Sequence, residues 1–250
     1  MTDRIVFAYS GAPDAWAAIA STAAARGAAI VTLTLDLGQG ADLEEIRDRA
    51  LAAGALRAHV LDVREEFARD YVLRALHAGT LRNDPTALAL AAQLVSRKLE
   101  EVAAIEGATA AAASVTVHDN LLGRQGATYT LTKAPADAPP TPAQVEIAFE
   151  RGVPVAINGV PMALTELIES LTIIAGHHGV GRVAVDGMCG EAPAASVLIA
   201  AYDALAGACQ PAAVTGSVRI ELLKGDHTVT SANAGSRIPG PGSRLTVAPS

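Results

Sequence analysis

Short apolar runs and longer amphipathic stretches alternate along the first part of the chain. The apolar runs are RIVFAY, AAIVTLTLDLGQG and RAHVLDV, and each is typical of a buried parallel strand. Four longer stretches are predicted to be helices: DAWAAIASTAAARG, DLEEIRDRALAAGA with Asp42 as its cap, REEFARDYVLRALHAG, and PTALALAAQLVSRKLEEVAAIEG. This alternation predicts an α/β fold with a doubly wound, mainly parallel sheet.

The pattern changes near residue 109, and a Pro-rich connector follows between Pro135 and Pro142. Beyond it, VEIAFERGVPVAING and SVRIELLKGDHTVTSA are predicted to be hairpins, and ALTELIESLTIIAGHHG and EAPAASVLIAAYDALAG helices. The end, IPGPGSRLTVAPS, has the composition of a disordered tail. We therefore expect a nucleotide-binding-type α/β domain over residues 1–112, a smaller α+β domain over 113–232 and a disordered tail over 233–250.

Composition excludes several classes of partner. Half of the 250 residues are hydrophobic but only 3% are aromatic, so the core must consist mainly of Ala, Val, Leu and Ile. The net charge of −7 argues against a nucleic-acid surface, which needs clustered Lys and Arg. No apolar run is long enough to cross a membrane, and MTDRIVFAYSG lacks the layout of a signal peptide. We expect a cytoplasmic protein without nucleic-acid or membrane partners.

The residues that most often bind metals are poorly arranged for it here. Cys189 and Cys209 have no CxxC partner, so neither zinc nor a disulfide framework is indicated. His177 and His178 are adjacent, and on a helix they point in different directions. We therefore predict no metal site formed by side chains.

Two glycine-containing turns mark the candidate ligand site. In a doubly wound sheet, ligands bind beyond the carboxyl ends of the strands, which places SGAPD and DLGQG side by side. SGAPD has the layout of a phosphate-binding loop, but Ala12 adds a Cβ and Pro13 removes an amide donor. In the alternative interpretation Pro13 opens the helix and Asp14 satisfies its first amides. DLGQG could equally be a plain turn in which Gly38 adopts positive φ.

Several stretches of the chain resemble the argininosuccinate synthase family, a group of N-type ATP pyrophosphatases. AYSGAPDAW is similar to the family's AYSGGLDTS loop. The resemblance continues through LDLGQGADLEEIRDRALAAGALRAHVLDV, VTVHDNLLGR, LTELIESLTIIAGHHGVGRV and EAPAASVLIAAYDAL, in the family's order. It implies the ATP pyrophosphatase fold and ATP with Mg²⁺ as cofactor. It also implies a reaction in which ATP adenylates citrulline, pyrophosphate leaves, and the amine of aspartate displaces AMP.

The resemblance also assigns site residues. Leu35 falls at the position whose backbone contacts adenine in the family. Thr116 and Asp119 fall where a Ser and a Glu hold citrulline, although Asp119 and Asn120 could instead organise a turn. The full set of candidate nucleotide-binding residues is Ser10, Gly11, Asp14, Leu35, Gly38 and Gln39.

Other positions depart from the family's pattern. The Thr-Ser pair of the loop is Ala15 and Trp16, and the Tyr of YEAPA is Gly190. Where the family has LGTSLARP, this chain has TALALAAQ, with Leu88, Ala89 and Ala92 at the hydroxyl and Arg positions. The GKGNDQVRFE segment and the ENRFVGIKSRG hairpin are missing.

These losses predict a protein that keeps the fold and weak adenine-nucleotide binding without the full ligation, acting as a binding or partner protein. One alternative is an adenylate-forming C–N ligase redirected to a smaller or less polar substrate, with TALALAAQLV lining its pocket and Asp119 or Asp14 as the residues to test. A second alternative is a copy that folds and does little. Because SANAGSRIPGPGSRLTVAPS cannot form the family's C-terminal helix, we expect a monomer or homo-dimer in place of a tetramer.

Overall fold

The computed structural model describes residues 3–10, 13–111, 117–185, 187–207 and 214–235. The helices are α1 (Pro13–Arg26), α2 (Leu43–Ala52), α3 (Arg64–Glu66), α4 (Leu73–Ala78), α5 (Leu88–Glu106), α6 (Leu164–His177) and α7 (Pro193–Ala206). A π-helical segment, Phe67–Val72, separates α3 from α4, and a 3-10 turn covers Thr80–Arg82. The strands are β1 (Arg4–Ala8), β2 (Ala29–Asp36), β3 (Arg57–Asp62), β4 (Thr109–Ala110), β5 (Arg124–Gly126), β6 (Ala143–Glu150), β7 (Val153–Ile157), β8 (Val160–Pro161), β9 (Arg182–Val185), β10 (Met188–Glu191), β11 (Gly216–Leu223) and β12 (Asp226–Ala234).

These elements form two compact units. The first comprises Met1–Val72 with Ala87–Arg124, and the second comprises Leu73–Thr86 with Gln125–Ser250. This division differs from the boundary expected at residues 112–113, and the domain assignment made from the sequence stays a prediction. Among the described helices, none is both long enough and apolar enough to cross a membrane.

The first unit is built on a parallel sheet with strand order β3-β2-β1-β4. Ile5 and Ile30 pack against Ile19 of α1 and Ile46 of α2 in one buried cluster. Alternate strand residues such as Val6 face the other side of the sheet, where α5 packs against β1 and β2. Helices therefore cover both faces, and the predicted α/β class with a mainly parallel sheet is confirmed.

A buried carboxylate ties the helix α5 to the amino-terminal ends of two strands. The side chain of Glu106 is only 2% exposed. It accepts hydrogen bonds from Arg57 at 3.0 and 3.1 Å and lies 2.8 Å from His59 Nε2. Arg4 adds a longer contact of 3.5 Å. These bonds give the buried charge its partners, at the edge of the sheet opposite to the strand ends where ligands bind.

The second unit is built on antiparallel sheets. One has the order β12-β11-β6-β7-β8 and the other the order β5-β10-β9. The two predicted hairpins are β6–β7 and β11–β12, and the KGDH turn places Lys224 and Gly225 at φ +48° and +93°. Positive φ at both turn residues matches the twist of the flanking strands. Helices α6 and α7 pack together, and α7 also contacts β11 and β12.

The strand β12 forms one edge of the five-stranded sheet. It continues to Ala234, which pairs with Gly216, so it includes the first two residues of the segment expected to be a tail. The rest of that segment, from residue 236, lies outside the described residues. Within β12, Val229 and Ser231 pair with successive residues of β11, which leaves Thr230 as a bulge.

A second buried carboxylate holds a segment without regular secondary structure. Glu191 is fully buried and accepts hydrogen bonds from the backbone N–H groups of Thr130, Leu131 and Thr132 at 2.7–2.9 Å. The hydroxyl of Thr132 donates a fourth bond, at 2.7 Å. Burial by itself would raise the pKa of Glu191, but the hydrogen bonds from residues 130–132 outweigh it and lower the pKa below its usual value.

The same segment lies directly against the helix α6. The amide of Lys133 donates to the carbonyl of Gly176 at 2.9 Å. A Cβ at position 176 would lie 2.0 Å from the carbonyl oxygen of Leu131. This close approach therefore requires glycine on that face of the helix.

Candidate functional site

A cavity of about 490 Å³ opens at the carboxyl ends of β1 and β2. The predicted turns meet there, since Ser10 from SGAPD and Gln39 from DLGQG both line it. Its volume is in the range of small-molecule sites. The full lining consists of Phe7, Ala8, Tyr9, Ser10, Leu33, Thr34, Leu35, Leu37, Gln39, Ala41, Val95, Leu99, Ala111, Val117, His118 and Asp119.

The DLGQG turn is closed by its own side chains. Gln39 accepts a hydrogen bond from the Leu37 amide at 2.7 Å and donates one to the Leu35 carbonyl at 2.9 Å. The carboxylate of Asp36 accepts from the Gly38 amide at 2.9 Å. The side chain of Gln39 therefore folds back on the strand end, where it occupies one of the two lone pairs of the Leu35 carbonyl oxygen.

Gly38 is fixed by its conformation and by a neighbour. Its φ is +86°, as the turn interpretation predicts. A Cβ at this position would lie 2.9 Å from the Cβ of Leu121, whose amide donates to the Leu37 carbonyl at 2.5 Å. The turn thus packs directly on the chain at Leu121.

Replacing Gly38 with alanine should lower the free energy of unfolding by about 1–3 kcal/mol, from strained φ and contact with Leu121 together. Gly40→Ala is the matched control, because φ there is +65° but no atom of the described residues lies within 4 Å of the added Cβ. Urea unfolding of both variants checks the expectation. Equal losses would show that the contact with Leu121 contributes nothing.

The candidate citrulline residue Asp119 lies at the rim and is paired. Its carboxylate lies 3.6 Å from Nε of Arg124. The buried side chain of Asn120 accepts hydrogen bonds from the amides of Leu122 at 2.9 Å and Gly123 at 3.3 Å. This geometry is the turn that the alternative interpretation describes.

Some predicted residues fall outside the described residues. These are Gly11, Thr116 and the side chain of Asp14. The helix α1 begins at Pro13, as expected if this proline occupies the first helical position.

The helix α5 supplies Val95, the last residue of the TALALAAQLV stretch expected to line a pocket in the ligase alternative, and Leu99, which the sequence did not single out. Val95 and Leu99 line the cavity, whereas Leu88, Ala89 and Ala92 do not. Four-residue spacing places Val95 and Leu99 on one face of the helix, but the pattern by itself could not distinguish a cavity wall from core. Tyr9 was missed as well: it is 2% exposed, and its hydroxyl finds no hydrogen-bond partner in the described part of the chain.

The lining carries little charge. Among the described residues it includes neither Lys nor Arg, and its one carboxylate, Asp119, is paired with Arg124. Apolar side chains such as Leu33, Leu35 and Val95 predominate. The arrangement can hold a flat, largely apolar group and offer hydrogen bonds at its rim.

A parallel sheet covered by helices on both faces, with a cavity beyond its strand ends, defines an α/β protein of the nucleotide-binding type. Two family models match this chain: the arginosuccinate synthase N-terminal HUP domain over residues 4–133 and the arginosuccinate synthase C-terminal domain over residues 111–210. The chain belongs to the argininosuccinate synthase family.

Curated relatives agree with this assignment. The chain is 32% identical to an argininosuccinate synthase of Streptococcus suis, in a match covering 72% of this chain and 63% of the relative. It is 31% identical to one of Bacillus cereus, over 81% of this chain and 70% of the relative. The matched region thus spans less than two thirds of the Streptococcus suis protein. Both alignments, over 253 and 283 residues, exceed the 250 residues of this chain, so the relatives carry segments without a counterpart here.

Proposed function

We propose that this chain is an argininosuccinate-synthase-like protein that binds adenine nucleotide weakly in the cavity at the ends of β1 and β2, without carrying out the full ligation of citrulline to aspartate. The observation that carries the proposal is the chemistry of the lining. It combines apolar walls with the backbone of Leu35, and it has no Lys or Arg among the described residues.

Ligation makes demands that this lining does not meet. Release of pyrophosphate develops negative charge, which enzymes stabilise with cations and fixed donors. Recognition of an amino-acid carboxylate commonly uses the fork of an arginine. The positions that would supply such groups by resemblance hold Ala15, Trp16, Leu88, Ala89 and Ala92. Adenine contacts through the backbone, by contrast, do not depend on those side chains.

The purified protein is therefore expected to form no argininosuccinate from citrulline, aspartate and Mg-ATP above the rate without protein. The assay is run beside an argininosuccinate synthase relative as positive control. Turnover of roughly 1–1,000 per second, the ordinary range for enzymes, would refute the absence of ligation. Thermal unfolding with Mg-ATP, AMP and pyrophosphate tests the binding half of the proposal separately, because a ligand at 100 times its Kd stabilises by about 2.7 kcal/mol.

The apolar wall formed by Leu35, Val95 and Leu99 favours a second candidate function. In this one the chain is an adenylate-forming C–N ligase whose substrate is smaller or less polar than citrulline. Pyrophosphate release that depends on an added acid or urea, and that is lost in Asp119→Asn, would support it.

For assembly we propose a monomer or homo-dimer, with another protein as a further partner.

A further inference from the structure

The charges around the cavity oppose a polyphosphate. Arg64 lies at the ends of β2 and β3, where it contacts Asp62 at 2.8 Å and Asp36 at 3.3 Å. Hydrogen bonds from this guanidinium lower the pKa of Asp62, so its carboxylate stays charged. Arg124 is likewise matched by Asp119. Among these described groups, three carboxylates stand against two guanidiniums, and the only one of the five that lines the cavity is the carboxylate Asp119.

The neighbouring sequence does not reverse this balance. Residues 11–16, which follow the first strand, read GAPDAW, and residues 112–116 read AASVT. Neither segment contains Lys or Arg. The triphosphate of ATP, with about four negative charges, would therefore be partly desolvated here without a cationic side chain from the described lining or from residues 11–16 and 112–116.

The cavity itself suits the remaining part of the nucleotide. Leu35, Val95 and Leu99 offer apolar surface to the faces of a flat ring. The Leu35 carbonyl oxygen has two lone pairs, and Gln39 occupies one of them. Ser10 and His118 supply polar groups in the same lining, where ribose hydroxyls can bond.

We infer that this cavity is a site for an uncharged purine nucleoside, and that every phosphate added to the nucleoside weakens binding. The inference rests on the proposed function, since it concerns the same cavity. It reverses the order of affinities that the family's ATP chemistry implies, because the nucleoside here binds more tightly than the triphosphate. The implied cofactor, ATP with Mg²⁺, does not fit the residues present.

Calorimetric titration with adenosine, AMP and ATP, the last with and without Mg²⁺, tests the order. Adenosine should bind most tightly. The affinity for ATP should be lower by a factor of about ten or more, and a factor of ten corresponds to about 1.4 kcal/mol of binding free energy. Raising the salt concentration should leave the affinity for adenosine unchanged and bring ATP closer to it, because salt screens repulsion. An ordinary ATP site would show the opposite salt dependence.

A gain-of-charge variant provides a second test. Ala41 is exposed and lines the cavity, so Ala41→Arg should strengthen ATP binding several-fold by adding an opposite charge. The control is Ala104→Arg, which adds the same charge at an exposed position on α5 outside the lining. Ala104→Arg should leave the affinities for adenosine and for ATP unchanged. Thermal unfolding of both variants verifies that they are folded.

The outcomes separate this inference from the proposed function. Tightest binding of ATP, weakened by salt, would overturn the inference and leave adenine-nucleotide binding intact. No binding of any of the three compounds would overturn the inference and the binding half of the proposed function together. Formation of argininosuccinate would refute the absence of ligation and, because the reaction consumes ATP, also the statement that ATP does not fit this cavity.

Discussion

Replacing Glu191 with glutamine should lower the free energy of unfolding by about 2–4 kcal/mol, and the melting temperature by roughly 5–12 °C. The buried carboxylate accepts four hydrogen bonds from Thr130, Leu131 and Thr132. Glutamine keeps the shape but loses the charge, and its amide nitrogen would face backbone N–H groups that are themselves donors. Chemical and thermal unfolding of the variant measure the loss.

The same variant has a defined pH dependence. The pKa of Glu191 is lower in the folded protein than in the unfolded chain, so its stabilisation is fully present above the unfolded pKa of about 4.3. This stabilisation is lost as pH falls through the folded pKa. The difference in free energy of unfolding between wild type and Glu191→Gln should therefore become smaller in acid. Glu150→Gln, at an exposed carboxylate of β6, should show no such gap at any pH. A gap that stayed constant below pH 4 would mean that the charge of Glu191 is irrelevant.

Gly176→Ala is expected to destabilise the protein by about 2–4 kcal/mol, because the new methyl group would meet the carbonyl oxygen of Leu131. The sign of the change in the free energy of unfolding is the informative result. Inside a helix, replacing glycine with alanine usually stabilises by about 0.5–1 kcal/mol. Denaturant unfolding determines which effect prevails.

Ile173→Ala is the matched control for this substitution. Ile173 lies on the same helix and is 72% exposed, so its truncation should stay within about 0.5 kcal/mol of wild type. If Gly176→Ala proved as stable as wild type, the segment containing Leu131 would have to move without cost, and the close approach would not be a requirement of the fold.

Much of the architecture follows from local patterns. Alternating apolar runs and helical stretches predicted the parallel sheet, and Asp42 caps α2 as expected, accepting from the Glu45 amide at 2.9 Å. The KGDH turn and the positive φ of Gly38 also follow from turn chemistry. Each of these features depends on residues within a few positions of one another, so a single sequence contains enough information.

Features that depend on distant residues could not be predicted. Glu191 lies about 60 positions from the amides it binds, and nothing near either segment specifies the pairing. The π-helical segment Phe67–Val72 falls inside a pattern that reads as one ordinary helix. In the same way, the sequence predicted that SGAPD and DLGQG meet, but not that Gln39 would fold back onto Leu35.

The edge strand β12 has a consequence for handling the protein at high concentration. After Asp226 the strand contains no Asp, Glu, Lys, Arg or Pro, the residues that usually prevent a sheet edge from pairing with another molecule. The bulge at Thr230 takes over that role, because the extra residue bends the edge and divides it into two short runs. Deleting Thr230 would leave one straight, uncharged edge, and aggregation through added strands would follow.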